Sequence, residues 1–272
     1  MRGVREMDID FYLDYMNAVT EARGPAWRYD EMKSCGVNFD NFFVARRYDE
    51  YHQTFRDYRR EAGQIVAALG LDSSATVLDM GCGTGAFAIH AAPHYRKIYA
   101  VDVAKAMLAR ARRKAKKAGL TNIEFHRGGF LTYEHADEPV DAIVSAVALH
   151  HLPDFWKLVG AHRLASMLKS DGRLYLFDVV FSFDVSRCES SVERFIERMS
   201  TRTVPDGRRA AQTHVREEYS TCGWIMEGLL ERAGFQIDDA DYKDDFLAAY
   251  LCTKKPAPSP MKSLTAAGRQ LR

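Results

Sequence analysis

The sequence predicts an α/β protein: a seven-stranded sheet, mostly parallel with its last strand antiparallel, helices on both faces, and an N-terminal helical lid. Three observations predict it. Short apolar or β-branched runs alternate with amphipathic stretches between Thr76 and Val180. The runs at 76–80, 140–147 and 172–180 are apolar almost throughout, as strands buried on both faces must be. Gly81, Gly83 and Gly85 follow the first run directly, where a sharp turn has to lead into the next helix.

The elements follow in order. Residues 1–65 are aromatic and charged without strand-like alternation, and read as helices. ATVLDM, KIYAVDV, NIEFHR, VDAIVSAV and GRLYLFDVV read as strands; TGAFAIHAAPHY, AKAMLARARRKAKKAG and FWKLVGAHRLASMLK read as the helices between them. Gly119 is placed to cap the second of those helices. Residues 181–214 are polar and Arg-rich, with VPDG turn chemistry at 204–207, and read as a loop and helix insertion. EEYSTCGWIMEGLLERAGF reads as a helix closed by Gly234. FQIDDADY and FLAAYLCTK lie only a few residues apart, which favours an antiparallel pair. The domain plan is a helical cap over 1–65, a main domain over 66–254 with a helical insertion at 181–225, and a Pro-, Ser- and Lys-rich disordered tail over 255–272.

The totals narrow the function classes. A chain of 272 residues can bury a full core, and 47% hydrophobic with 28% charged residues is ordinary for a soluble globular protein. A formal charge of +1 gives no push toward nucleic acid or an anionic membrane. No apolar run approaches the roughly 18 residues a membrane span needs, and MRGVREMDIDFYLDYM lacks a signal peptide's apolar core. Five scattered cysteines without a CxxC pair suit reduced thiols in a cytoplasm. The totals point to neither a membrane nor a nucleic-acid partner.

The stretch VLDMGCGTG, residues 77–85, carries the chemistry. Glycines after a strand bring backbone N–H groups against a ligand, and the next helix N-terminus favours a negative group. Gly81 to Ala86 also satisfies the dinucleotide spacing G-x-G-x-x-G/A, and Asp102 lies 21 residues beyond Gly81, where a carboxylate meets ribose hydroxyls in either reading. Asp79 discriminates between them. A carboxylate two residues before the first glycine repels a pyrophosphate but favours the ammonium of an amino-acid tail.

Here the chain resembles the class I S-adenosylmethionine-dependent methyltransferases, over about residues 40–254, and within them the small-molecule branch typified by quinone biosynthesis. VLDMGCGTG resembles the first motif, YAVDVAKAML the second, and VDAIVSAVALHHLPD the fourth-strand motif. ARRYDEYHQTF resembles the Tyr-Asp helix that precedes the first motif, and EEYSTCGWIMEGLLERAGF the helix before the sixth strand. The resemblance implies a Rossmann-like fold, S-adenosylmethionine as methyl donor, S-adenosylhomocysteine as product, and an enzyme. It implies roles for individual residues. Gly81, Gly83 and Gly85, with Cys82 between them, approach the methionine carboxylate and ribose; Asp79 holds the ammonium and Asp102 the ribose hydroxyls. Val103 and Met107 flank adenine, Ser145 and Ala146 line the sulfonium side, and Tyr48 lies on the closing helix. In one departure, Gly129 occupies the usual acidic place after the third strand, leaving adenine to backbone groups and Phe130.

Methyl transfer from a sulfonium is an in-line displacement, so the protein mainly aligns the reactants and excludes water. A base is needed only when the acceptor must lose a proton. The candidates are His151, then His150, just past the fourth strand, with Tyr51 and His52 on the closing helix. Tyr219 and Trp224 are read as an aromatic wall or as core; Arg202, Arg208 and Arg209 as an anion clamp or as solvated loop. Cys82 reads as a small-residue position, not a nucleophile. His90 and His94 read as a solvent-facing pair, and no metal is expected. RARRKAKK at 110–117, with six basic residues, reads as a solvated face behind the buried stripe Met107, Leu108, Ala111 and Ala115. The alternatives left open are an RNA or protein methyltransferase, a non-catalytic cofactor-binding module, and a nicotinamide oxidoreductase.

Overall fold

Asn41 and Asp57 start the first two helices by capping them. The Asn41 side chain accepts hydrogen bonds from the Phe43 and Val44 amides, and Asp57 accepts one from the Arg60 amide. The computed structural model describes residues 25–200 and 207–256. These two helices are α1 (Phe42–His52) and α2 (Tyr58–Leu69). Residues 25–41, expected to be helical, run instead as turns and bends. Trp27 stacks on Trp156 at 6.2 Å, so contact with the main domain, not helix propensity, shapes this segment. Residues 1–24 of the expected helical cap, residues 204–206 of the VPDG turn and the tail from 257 lie outside the described residues.

The main domain alternates as expected: β1 (Thr76–Met80), α3 (Ala86–Ala91), β2 (Lys97–Asp102), α4 (Lys105–Lys117), β3 (Ile123–Arg127), β4 (Val140–Ala146), α5 (Asp154–Met167) and β5 (Leu168–Phe181). Two further helices follow, α6 (Cys188–Ser200) and α7 (Gly207–Glu217), then β6 (Thr221–Cys222), α8 (Gly223–Arg232), β7 (Phe235–Asp244) and β8 (Leu247–Lys254). The sheet runs β3-β2-β1-β4-β5-β8-β7, parallel as far as β5; β8 is antiparallel to both its neighbours. An eighth strand, β6, pairs in parallel with the end of β5 through Val180 and Phe181. Its Thr221 and Cys222 were expected inside a helix. That helix starts only at Gly223, because the preceding backbone pairs with β5.

Strand residues alternate between two cores. Val77, Ile98, Ala100, Ala142 and Val144 face α2, α3 and Leu108 of α4. Leu78, Met80, Tyr99, Val101 and Ile143 face α5 and α8. A third cluster, with Phe195 and Ile196 of α6 and Ala211 of α7, packs on Val179 and Phe246. The sheet order reverses direction between β1 and β4, which opens a crevice at the strand ends where ligands of open α/β sheets bind.

Candidate active site

The crevice is lined by the loops after β1, β2, β3 and β4, and is covered by residues 31–40 and Tyr48. Gly81 turns with φ 78°, and a Cβ there would lie 2.3 Å from that of Ala148, so only glycine lets the β1 and β4 loops meet. Gly83, at φ 53°, lines the cavity and has open space where a side chain would stand. Asp102 accepts hydrogen bonds from the Gly83 and Ala104 amides, both at 2.8 Å. Burial pushes its carboxyl up against those amides, and Asp40 adds to the rise. Asp79 is 2% exposed and its Oδ2 has no hydrogen-bond partner. Burial, with Asp102 nearby, pushes it up to about 7, the Ala88 amide opposing. A buried carboxylate oxygen left bare beside an open glycine loop fits a ligand that brings a cation.

Of the residues read as cofactor contacts, Asp79, Gly81, Cys82, Gly83, Asp102, Val103, Met107, Gly129, Phe130, Ala146 and Tyr48 line this one cavity. Gly85 and Ser145 do not. Gly85 is the residue before α3, at φ 78°, and Ser145 is wholly enclosed within β4. Burial holds the Cys82 thiol well above its ordinary range, which suits a packing residue.

The two adjacent histidines part company. His151 lines the cavity, with Cys35 Sγ 3.4 Å from its Nδ1 and Phe39 edge-on to its ring. His150 lies behind it, 3% exposed. Its Nδ1 donates to Asp178 at 2.5 Å, and its Nε2 lies 3.3 Å from Glu218. Glu218 also pairs with His214 Nδ1, while His214 Nε2 is 2.8 Å from the Ser220 hydroxyl. Burial alone would lower His150, but Asp178 and Glu218 outweigh it and raise it to about 9. His151 moves the other way: burial and then the charge on His150 push it down to about 3. His150, His151 and Glu218 each bring a potential ligand atom within 4.8 Å of the others. Carboxylates engage both His150 nitrogens, however, which leaves no lone pair for a metal.

Tyr51 and His52 do not reach the cavity. His52 instead stacks on Tyr48 at 3.9 Å, with its Nδ1 2.8 Å from the Tyr48 carbonyl. Tyr219 and Trp224 are 39% and 75% exposed and stand outside the cavity. Arg208 pairs with Glu193 at the surface and Arg209 is exposed; Arg202 is outside the described residues. His90 and His94 are exposed. Sequence reading missed Glu31, Cys35, Asp178 and Glu218, and met Asp49 only as part of the Tyr-Asp helix. Glu31, Cys35 and Asp178 reach their partners across long separations without a local pattern; Glu218 carried one signal, four residues after His214 and just past the end of α7.

A methyltransferase-domain family model matches residues 77–172, the span from β1 to the start of β5. An uncharacterized methyltransferase of Bacillus mycoides is 26% identical over 212 residues, covering 74% of this chain and 92% of its own. Another, of Bacillus pumilus, is 30% identical over 138 residues, of which the chain spans 61% of the relative's length. Among solved structures, the YcgJ protein of Bacillus subtilis superposes with a TM-score of 0.57 at 18% identity, covering 73% of this chain and 99% of its own. Magnesium protoporphyrin IX methyltransferase of Synechocystis, solved with bound S-adenosylhomocysteine, gives 0.54 at 19%, covering 91% and 100%. Among the described residues no helix is long and apolar enough to cross a membrane. Strand order, the glycine loop with its two buried acids, the methyltransferase domain matched over residues 77–172 and these relatives make the chain similar to the class I S-adenosylmethionine-dependent methyltransferases.

Proposed function

We propose that the protein methylates a small, largely apolar molecule enclosed between the strand ends and the cap. One observation carries this reading: the glycine loop and His151 line the same cavity, and residues 31–40 cover it. When bound, the cofactor supplies an electrophilic methyl carbon on a sulfonium. Asp79 would face its ammonium and Asp102 its ribose, with the glycine loop against the amino-acid tail; Val103 and Met107 would flank the base. On the acceptor side, Val37, Phe39, Val147 and Leu152 supply apolar walls and exclude water.

His151 is the polar group best placed to orient the acceptor. Held neutral down to about 3, it accepts a hydrogen bond at any physiological pH. A base this weak removes a proton only from a nucleophile that is already acidic. Thiols, phenols and activated carbon acids therefore suit the site better than aliphatic alcohols, and amines need no base before transfer. Residues 31–40 and Tyr48 serve as the cover that selects the acceptor.

The experiment is to incubate the protein with methyl-labelled S-adenosylmethionine and a metabolite extract. Label in the low-mass fraction supports the reading. Label confined to RNA or protein overturns it.

A further inference from the structure

We propose that Glu31, in the cap, supplies the carboxylate that recognises the adenine amine of the cofactor, in place of the side chain that Gly129 lacks. The proposal rests on the methyltransferase reading and concerns how that site tells one purine from another. After β3 the chain reads Gly128-Gly129-Phe130, and no acid stands there. The space is nevertheless filled by one. A Cβ built on Gly129 would lie 2.5 Å from Glu31 Oε2 and 2.7 Å from its Cδ. An aspartate or glutamate at 129 would thus collide with the Glu31 carboxylate and add a like charge beside it.

Glu31 is held in that position from the loop it faces. The Leu131 amide and the Thr132 hydroxyl donate to Oε1, at 2.9 Å and 2.7 Å. The Gly129 amide in turn donates to the Thr132 hydroxyl oxygen at 3.1 Å. The Leu131 amide and the Thr132 hydroxyl both bond Oε1, the Thr132 amide is a third group that lowers the carboxyl, and Oε2 is the oxygen turned against Gly129. Glu31, Gly129 and Phe130 line the same cavity as Asp102, Val103 and Met107. Burial raises the Glu31 carboxyl against the Thr132 and Leu131 bonds that lower it, so a further donor at Oε2 would favour its charged form.

An exocyclic amine offers N–H donors and suits a carboxylate oxygen; the carbonyl of hypoxanthine offers only an acceptor and is repelled. The base site is then built from two parts of the chain, sheet loop and cap. Because residues 31–37 continue to Cys35 beside His151, recognising the base also settles the wall of the acceptor side.

Calorimetry with S-adenosylhomocysteine and S-inosylhomocysteine tests this on the full-length protein, Glu31→Ala, and the double variant Glu31→Ala, Gly129→Asp. The unaltered protein should prefer the adenosyl compound by about tenfold or more. Glu31→Ala should lose most of that preference and bind S-adenosylhomocysteine about ten- to a hundredfold more weakly. The double variant, with room now free for an aspartate, should recover much of both. Unchanged affinity and preference in Glu31→Ala overturns the proposal, as does a double variant no better than the single one when both retain the parent's thermal unfolding. If the unaltered protein binds neither compound, the cofactor reading beneath the proposal fails instead.

Discussion

Asp49, on the cap helix α1, accepts a 2.5 Å hydrogen bond from Thr84, inside the glycine loop. Its other oxygen faces Arg110 at 3.2 Å and Lys114 at 2.9 Å, both on α4. One buried carboxylate therefore fastens the cap to the loop and to the helix after β2. Burial pushes Asp49 up, but Thr84 and Lys114 outweigh it and hold it below the ordinary carboxylate range. This corrects the reading of RARRKAKK as a wholly solvated face. The apolar stripe at 107, 108, 111 and 115 is buried as expected, yet Arg110 and Lys114 flank it and turn to the cap.

Asp49→Ala should destabilise the protein by about 2–3 kcal/mol, below the cost of breaking a fully buried pair because both cations are partly exposed. Urea unfolding measures it. Asp49→Asn keeps an acceptor for Thr84 and should lose less. A loss under about 0.5 kcal/mol in both would mean that the contact merely accompanies cap docking.

Asp79 should make cofactor affinity depend on pH. An ammonium binds the ionised carboxylate, and Asp79 in the free protein is pushed up to about 7. Below that value binding must first expel a proton, so affinity should fall about tenfold per pH unit. Calorimetry between about pH 5.5 and 8.5 should show this slope for S-adenosylhomocysteine. Asp79→Asn should bind weakly at every pH with the slope gone; a slope that survives places the titrating group elsewhere.

The sheet was legible because parallel strands buried on both faces write continuous apolar runs, and because Gly81, Gly83 and Gly85 mark a backbone that a side chain would obstruct. Position 129 was legible only as a gap. The acid that fills it comes from Glu31, about a hundred residues earlier, and nothing in either stretch announces the other. The same holds for Asp178 behind His150: the histidine pair was visible, but which ring faced the cavity depended on partners brought together by the fold. Thr221 and Cys222 misled for a related reason, since a two-residue strand exists only through its neighbour β5.

The chain from Asp178 through His150 and Glu218 to His214 should stabilise the protein over a bounded pH window. His150 is raised from its ordinary 6.5 to about 9, so its contribution is complete below 6.5 and lost as pH climbs through 9. Asp178 and Glu218 are lowered, so theirs is present above the ordinary carboxylate range and lost as pH falls. Glu218→Gln should therefore cost most near neutrality, about 2–4 kcal/mol. Its deficit in thermal unfolding should shrink toward about pH 10. A deficit constant with pH would mean that His150 does not carry the charge.

His151 should act on the acceptor and not on the cofactor. Its ring centroid lies 4.3 Å from that of His150, whose charge is the second cause, after burial, of its descent to about 3. Removing that charge in His150→Gln should raise His151, though burial keeps it below its ordinary value; proton NMR of the ring follows this directly. The deficit in His151→Asn should appear in the transfer step. With the acceptor recovered from the labelling experiment, the rate should fall about ten- to a hundredfold through lost orientation. S-adenosylhomocysteine should bind within about twofold of the parent if, as proposed, it is held by the glycine loop, Asp79 and Asp102 and not by His151. The rate should also show no inflection between about pH 6 and 8 from this residue, because its basic form is already complete there. If binding and rate fell together, His151 would belong to the cofactor's half of the cavity, and the acceptor would have to be oriented by Cys35 and the apolar walls alone.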